Sequence, residues 1–136
     1  MSILNKYTQK LRDSGLRPTK QRIKICEVLF ERDKTFHFTV NDLTKKIHLQ
    51  TDKKISVATV YNTVHAFEKK GYLKQIPINS SQTYFDTNTT THHHFYDVKA
   101  EKLIDLDNND VGPINIQKSI PGKKIKSVEV LVKLED

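Results

Sequence analysis

Three consecutive histidines, at positions 92–94, follow a run of threonines in the stretch FDTNTTTHHHFYD. Adjacent histidines inside a chain can be a tag remnant, a solvated turn or part of a metal site. In an extended strand alternate side chains share a face, so His92 and His94 point the same way and His93 points to the other side. Two imidazoles on one face are a common way to hold one metal ion. The pattern therefore predicts a metal site, with His93 exposed outside it.

Three further residues offer metal ligands to this pair. Asp86 lies six residues before His92, Asp105 lies on the next predicted strand, and His37 lies at the start of an upstream predicted helix. Imidazoles and carboxylates without a thiolate favour Fe(II), Mn(II) or Zn(II) in a five- or six-coordinate site over a tetrahedral structural zinc. The ordinary alternatives are a helix-start residue for His37 and a strand-end charge for Asp105. The predicted metal ligands are His37, Asp86, His92, His94 and Asp105.

Helical spacing of apolar residues predicts four helices in the first part of the chain. The first covers residues 3–14, the second has Pro18 in its first turn, and the third has Thr39 as its N-cap. The fourth, in SVATVYNTVHAFEKKGYL, begins after Ser56 and ends at a left-handed Gly71. Ile3, Leu4, Tyr7 and Leu11 share one side of the first helix, Leu43 and Ile47 one side of the third, and Val57, Val60, Val64 and Phe67 would face the core from the fourth.

Two short strands, in YLKQIPI and QTYFDT, follow the fourth helix, with NSS as the turn between them. Helix, turn, helix and hairpin is the winged-helix arrangement, which we predict over residues 1–86. The threonine-rich segment 87–91 predicts a hinge. Residues 92–136 predict strands in HHHFYDV, in KLIDLD and over 128–134, where apolar and polar residues alternate.

The predicted fold class is α+β, an N-terminal winged helix-turn-helix domain with a small C-terminal β-rich dimerisation domain. Dimerisation is expected because a three-stranded sheet within residues 92–136 buries too little apolar surface to be stable alone. A homodimer also suits the first domain, since paired recognition helices read two half-sites on DNA.

The charge is unevenly distributed along the chain. Residues 1–86 hold 16 Lys and Arg against 8 Asp and Glu, whereas residues 87–136 hold 7 against 8. A basic unit joined to a nearly neutral one indicates a polyanion-binding module with a second function attached, although a solvated lysine-rich surface is the simpler alternative. The single cysteine excludes a disulfide framework, and the chain has neither a membrane-length apolar run nor a secretory signal. A cytoplasmic location is therefore expected.

The fourth predicted helix carries side chains suited to DNA base edges. Tyr61 can lie against thymine methyl groups and Asn62 can contact adenine, although Tyr61 can instead pack in the core. Basic residues at the start of the second helix can hold phosphates. The predicted DNA contacts are Arg17, Lys20, Arg22 and Lys24 for the backbone, and Thr59, Tyr61, Asn62 and Thr63 on the fourth helix.

The segments RPTKQR, SVATVYNTVHAFEKKGYL and TYFDTNTTTHHHFYD resemble the ferric uptake regulator superfamily of metal-responsive transcription repressors, over nearly the whole chain. The resemblance implies a winged-helix domain, a hinge and a dimerisation domain, with a regulatory metal between the domains. It implies that Tyr61 contacts DNA, with Asn62 where many members have arginine. It also implies sensing ligands at His37, Asp86, His92, His94 and Asp105.

The chain departs from that family at the structural zinc site, because Asp97 and Ala100 stand at the positions of its C-x-x-C pair. This departure and the helix-poor ending SIPGKKIKSVEVLVKLED resemble the iron response regulator branch, whose members control iron uptake and haem synthesis genes. That resemblance implies haem as a further ligand at His92, His93 and His94. Cys26 is either an axial haem thiolate or a buried, inert thiol.

Two alternatives use the same residues. One is a peroxide-sensing repressor of the same superfamily, in which Fe(II) at the site leads to oxidation of a ligand histidine. The other is a small metalloenzyme, which the absence of an evident general base disfavours. The expected function is a DNA-binding, homodimeric regulator that responds to iron or manganese and, by resemblance, to haem.

Overall fold

The structure is a computed structural model that describes residues 3–51 and 54–136. The chain forms two compact units, one extending to Thr89 and the other beginning at Thr90. In the described part of the chain, no helix is long and apolar enough to cross a membrane. The first unit contains α1 (Ile3–Asp13), α2 (Lys20–Phe30), β1 (His37–Phe38), α3 (Val40–Gln50), α4 (Val57–Lys70), β2 (Lys74–Pro77) and β3 (Thr83–Asp86). The second contains β4 (His93–Asp97), β5 (Lys102–Leu106), a 3-10 turn (Asn108–Asp110) and β6 (Leu131–Leu134).

Side-chain caps define where the helices begin and end. Thr39 and Asp42 form a capping box at the start of α3, and Ser56 caps α4, which ends at Gly71 with φ of 91°; these predicted caps are confirmed. The predicted start of α2 is wrong by two residues. Thr19 is its N-cap and accepts a hydrogen bond from the Arg22 amide at 3.2 Å, so Pro18 lies outside the helix.

The four helices of the first unit enclose one apolar core. Tyr7, Leu11, Leu43 and Ile47 are fully buried as predicted, and so are the described core residues Ile25, Cys26, Leu29, Val60, Val64 and Phe67. The side chains of Ile3 and Leu4, predicted on the same face, lie outside the described residues. Val57 does not face this core and is 50% exposed. It is the first residue of α4, so no preceding helical turn lies beneath its side chain.

A three-stranded antiparallel sheet in the order β1-β3-β2 completes the first unit. The predicted hairpin of β2 and β3 is confirmed, but β1 is a strand where a helix start was predicted. In FHFTV, Phe36 and Phe38 alternate with His37 and Thr39, which is a strand pattern placed directly before the α3 cap. His37 therefore lies on a strand and not at the start of a helix, and it pairs directly with Asp86.

The second unit is a sheet in the order β5-β4-β6, with β4 antiparallel to β5 and parallel to β6. All three strands were predicted, although β6 begins at Leu131 and not at Val128. Residues 111–130, all within the described part of the chain, form no helix or strand. The unit buries little apolar surface by itself, because this segment exposes four isoleucines: Ile114, Ile116, Ile120 and Ile125.

Candidate metal centre and nucleic-acid interface

Strands β4 and β5 bring two imidazoles and one carboxylate together in the second unit. His94 lies directly opposite Asp105 in the strand register, and its Nε2 is 3.3 Å from Asp105 Oδ1. His92, just before β4, places its Nε2 3.8 Å from the same oxygen. The two imidazole rings lie side by side, with centroids 4.3 Å apart. His92 and His94 therefore share a face, as the H-x-H spacing predicts.

The hydrogen bond of His92 directs one of its nitrogens toward this cluster. Its Nδ1 lies 2.7 Å from the Thr90 carbonyl oxygen, which can only accept. Nδ1 therefore donates, and in the neutral ring Nε2 holds the lone pair that faces Asp105. Metal-bound histidines in proteins are commonly held by such a carbonyl contact.

The spacing of these atoms fits a metal ion. Ligand atoms bonded to one metal at about 2.1 Å lie roughly 3.0–3.5 Å from one another. The ligand atoms of His92, His94 and Asp105 lie within 4.8 Å of one another, so small side-chain movements bring them to that spacing. The histidine rings are nearly buried and the aspartate side chain is 56% exposed, which leaves the cluster a route to solvent. A protonated histidine paired with Asp105 is the alternative state of the same geometry.

The other two predicted ligands lie side by side in the first unit. Asp86 at the end of β3 pairs with His37 on β1, and residues directly opposite in an antiparallel sheet share a face. The Asp86 carboxylate is 1% exposed, and its Oδ1 accepts a hydrogen bond from the Asn88 amide at 2.8 Å. A buried carboxylate next to an imidazole is a suitable half-site for a divalent cation.

His93 does not have the position that the sequence predicts. It is 7% exposed, so the expectation that it is solvent-exposed is wrong. Its Nδ1 accepts a hydrogen bond from the Val130 amide at 2.9 Å, which ties β4 to the residue before β6. Since His93 lies on the opposite face of the sheet from His94, the three histidines do not converge on one point. The prediction that His92, His93 and His94 bind haem together is therefore wrong for His93. Only His92 and His94 share a face that could bind it.

We predict that His93 stabilises the second unit and contributes nothing to metal binding. His93→Ala leaves the Val130 amide without its acceptor, and we expect the free energy of unfolding to fall by about 1–3 kcal/mol in urea titrations followed by circular dichroism. His93→Asn is the matched control, because its side-chain oxygen can accept the same hydrogen bond. A loss of Mn(II) affinity in His93→Ala, with unchanged stability, would contradict this role.

Asp97 and Ala100 occupy a tight turn where the resemblance places a zinc-binding cysteine pair. The Asp97 carboxylate accepts a hydrogen bond from the Ala100 amide at 3.0 Å. This contact closes the β4–β5 connection through a side-chain oxygen. The turn is thus stabilised by a side-chain to backbone hydrogen bond.

Helix α4 presents two of its four predicted DNA contacts to solvent. Tyr61 is 51% exposed and Asn62 is exposed, so the alternative of Tyr61 as a core residue is wrong. Thr59 is half-buried, and its hydroxyl lies 2.9 Å from the cap hydroxyl of Ser56. Thr63 is fully buried and its hydroxyl donates to the Thr59 carbonyl at 2.8 Å, so its predicted contact with DNA is wrong.

The orientation of Tyr61 depends on a histidine one helical turn later. The rings of Tyr61 and His65 have centroids 4.0 Å apart, and His65 packs edge-on against Phe85 with centroids 5.4 Å apart. Phe85 is buried in β3, next to Asp86 in the chain. Tyr61 is therefore supported by an aromatic contact and does not extend alone into solvent.

The predicted phosphate contacts surround the start of α2. Arg17 and Lys20 are exposed. The Arg22 guanidinium donates one hydrogen bond to the Arg17 carbonyl at 2.9 Å, so part of its donor capacity is already occupied within the protein. Lys24 lies 3.5 Å from Glu27, which offsets its charge. An open groove of about 510 Å³ is lined by two of these cations, Lys20 and Lys24, and by Arg12, which is not among the predicted contacts.

Cys26 lies in the core of the first unit and is fully buried. Burial raises the pKa of its thiol to about 12, against the opposing effect of the nearby Lys10 ammonium. The thiol stays protonated at neutral pH and has no access to a ligand. This confirms the buried, inert alternative and removes Cys26 as an axial haem ligand.

Besides Arg12, two residues at these sites were not among the predicted contacts. Lys74 pairs directly with Asp86 across the β2–β3 hairpin, and His65 supports Tyr61. The helical spacing of Tyr61 and His65, four residues apart, is a signal for the second contact. No local signal identifies the pairing of Lys74 with Asp86, because that pairing depends on the register of the hairpin.

Comparison with known proteins identifies the family. A model of the ferric uptake regulator family matches residues 13–134. The chain is 31% identical over 103 residues to the peroxide-responsive repressor PerR of Staphylococcus epidermidis, which covers 76% of this chain and 67% of that protein. It is 34% identical over 85 residues to the ferric uptake regulation protein of Vibrio parahaemolyticus, covering 62% of this chain and 56% of the relative.

Solved structures show the same fold. The ferric uptake regulator of Pseudomonas aeruginosa with manganese aligns with a TM-score of 0.67 at 21% identity, over 95% of this chain and 96% of that one. The Vibrio cholerae ferric uptake regulator aligns with a TM-score of 0.70 at 19% identity, over 96% and 99%. These alignments confirm the α+β class, a helical N-terminal part with a β-rich C-terminal part. The chain belongs to the ferric uptake regulator family, whose members similar to it include peroxide-responsive repressors and ferric uptake regulation proteins.

Proposed function

We propose that this protein is a transcription regulator that binds DNA as a homodimer in response to Fe(II) or Mn(II), and that it controls iron uptake and haem biosynthesis genes in the cytoplasm. The observation that carries the proposal is the His92, His94 and Asp105 cluster, whose two Nε2 atoms face one carboxylate oxygen. Regulation is favoured over catalysis because the relatives with 31% and 34% identity are named as a repressor and a regulation protein.

The proposed switch uses ligands that belong to different units. His37 and Asp86 lie in the first unit, and His92, His94 and Asp105 lie in the second. A divalent ion bound by both sets would restrict movement between the units at the threonine-rich segment 87–91. A ligand favours the DNA-binding state only to the extent that it binds that state better. By linkage, DNA must then tighten metal binding by the same factor.

Dimerisation through the second unit is supported by its exposed apolar side chains. Ile104 in β5 is 43% exposed and lies opposite Phe95 of β4, which in turn pairs with Val132 of β6. These three residues share one face of the sheet. Burial of that face against a second copy would remove apolar surface from water, and it would pair two α4 helices for two DNA half-sites.

The test is a selection for DNA in the presence of metal. A pool of random 30-base-pair duplexes is bound to the protein with Mn(II), or with Fe(II) under anaerobic conditions, and the retained duplexes are amplified and sequenced. We expect a symmetric sequence to be enriched and its affinity to fall at least tenfold when EDTA removes the metal. Enrichment without symmetry, or equal affinity with and without metal, would overturn the proposal.

A second candidate is a peroxide-sensing repressor, which is favoured by the similarity to the peroxide-responsive repressor of Staphylococcus epidermidis. Ferrous iron at this site would activate peroxide, and the two-electron oxidation of an imidazole would balance the two-electron reduction of the peroxide. One oxygen atom would then be added to a nearby imidazole and water released. Mass spectrometry of the Fe(II) protein after one equivalent of peroxide tests this: a 16 Da addition on His37 or His92, absent from the Mn(II) protein, would support it.

The resemblance to the iron response regulator branch also implies regulation by haem. We propose that His92 and His94, without His93, would bind it. An absorbance titration with haem on the wild-type protein and on a His92→Ala/His94→Ala variant tests it. A Soret shift in the wild type that the double variant loses would support haem as a second signal, whereas identical spectra would remove it.

A further inference from the structure

Asp86 lies between a histidine and a lysine in one row across the first sheet. β3 is the central strand, and Asp86 is the direct partner of His37 on β1 and of Lys74 on β2. Directly opposed residues in antiparallel strands point to the same face, with Cβ atoms about 5 Å apart. One carboxylate is thus placed between an imidazole and an ammonium.

This face of the sheet is distinct from the one that packs on the helices. Phe38 and Phe85 are partners on the opposite face, where both are buried in the helical core. Tyr84 lies on the Asp86 face, with its ring edge-on to His37 and centroids 6.4 Å apart. The row of His37, Asp86 and Lys74 therefore forms a polar line on the face away from the core.

The charge of Lys74 acts directly on Asp86. Lys74 is half-buried and lies directly opposite Asp86 in the β2–β3 register, so the two side chains share a face and the ammonium is within reach of the carboxylate. Asp86 is almost fully buried, so it needs a positive partner when no metal is present. The four-carbon stem of lysine lets the ammonium move toward solvent when another cation arrives.

We propose that Lys74 is an internal competitor for metal: its ammonium neutralises Asp86 in the metal-free protein and lowers the affinity of the site for a divalent cation. This inference rests on the proposed metal-binding function and deepens it, because it names the residue that sets the metal concentration to which the protein responds. A unit charge about 6 Å from a divalent ion, in a water-like dielectric, changes the binding constant about tenfold.

The test is a Mn(II) titration of the full-length protein in which free Mn(II) is followed by electron paramagnetic resonance. Lys74→Met removes the charge and keeps most of the side-chain volume, and we expect it to bind Mn(II) about tenfold more tightly than the wild type. Lys74→Arg keeps the charge and should bind like the wild type. Lys74→Gln makes the same charge change and replaces the methionine variant if that one is insoluble.

Lys102→Met is the matched control, because Lys102 also lies directly opposite an aspartate, Asp97, which is not a predicted ligand. It should leave Mn(II) affinity unchanged. Thermal unfolding gives an independent readout: without metal Lys74→Met should melt at a lower temperature than the wild type, and its Tm should rise more on addition of Mn(II).

Two failures can be told apart. Wild-type protein that binds Mn(II), together with Lys74→Met and Lys74→Gln variants of equal or weaker affinity, would overturn the role of Lys74 and leave the proposed function standing. Wild-type protein that binds neither Mn(II) nor, under anaerobic conditions, Fe(II) would overturn the proposed function, and the role of Lys74 with it.

Discussion

Replacing His92 and His94 together with alanine is expected to remove metal-dependent DNA binding. The change deletes both Nε2 atoms that face Asp105 Oδ1, at 3.8 Å and 3.3 Å, and leaves one carboxylate of the cluster in the second unit. A site that loses two imidazoles retains too few nitrogen ligands for a first-row metal. We expect Mn(II) affinity to fall at least 100-fold, and the selected duplex to bind equally with Mn(II) and with EDTA.

The measurement pairs Mn(II) titration with fluorescence anisotropy of the labelled duplex. His93→Asn is the matched control, since it changes the intervening histidine, which points to the other face of β4, and keeps an acceptor for the Val130 amide. It should retain both metal binding and the metal response. A double variant that still responds to Mn(II) like the wild type would show that the regulatory metal binds elsewhere.

Replacing Tyr61 with alanine is expected to weaken DNA binding strongly without unfolding the protein. The side chain is 51% exposed on α4, so its removal deletes contacts with the ligand and few with the core. Contacts with base edges contribute about 1–3 kcal/mol each, and a homodimer loses two of them. We expect affinity for the selected duplex to fall at least tenfold, while the Tm changes by less than about 2 °C.

Two neighbouring substitutions distinguish a contact with DNA from a structural effect. Tyr61→Phe keeps the ring that stacks on His65 and should bind nearly as well as the wild type. Phe67→Ala removes a fully buried ring from the same helix and should lower the free energy of unfolding by about 3–5 kcal/mol. A large drop in Tm for Tyr61→Ala would assign Tyr61 to packing and contradict its role in DNA binding.

The errors of sequence interpretation on α4 have a common cause. Val57 and Thr63 were assigned to faces by spacing alone, yet Val57 is half exposed and Thr63 is fully buried. The hydroxyl of Thr63 bonds to the Thr59 carbonyl within the helix, so the residue tolerates burial although its type is polar. The spacing of residues gives their angular positions around the helix axis. The neighbouring helices decide how many of those positions are buried.

The sequence by itself determined the features that depend on neighbours within a few residues. The caps at Thr39, Ser56 and Gly71, the hairpin of β2 and β3, and the shared face of His92 and His94 follow from local hydrogen bonding and from the repeat of two in a strand. The thirteen-residue stretch that holds the three histidines was therefore recognisable as a metal-binding candidate from residue types and spacing.

Only the tertiary structure placed His37 and Lys74 on either side of Asp86 and turned His93 toward Val130. These contacts join strands that are distant in the chain, and their register is set by which faces bury apolar side chains. A shift of one residue in that register would move every side chain of a strand to the other face. Because such pairing is decided by packing across the whole unit, no local pattern in the sequence contains it.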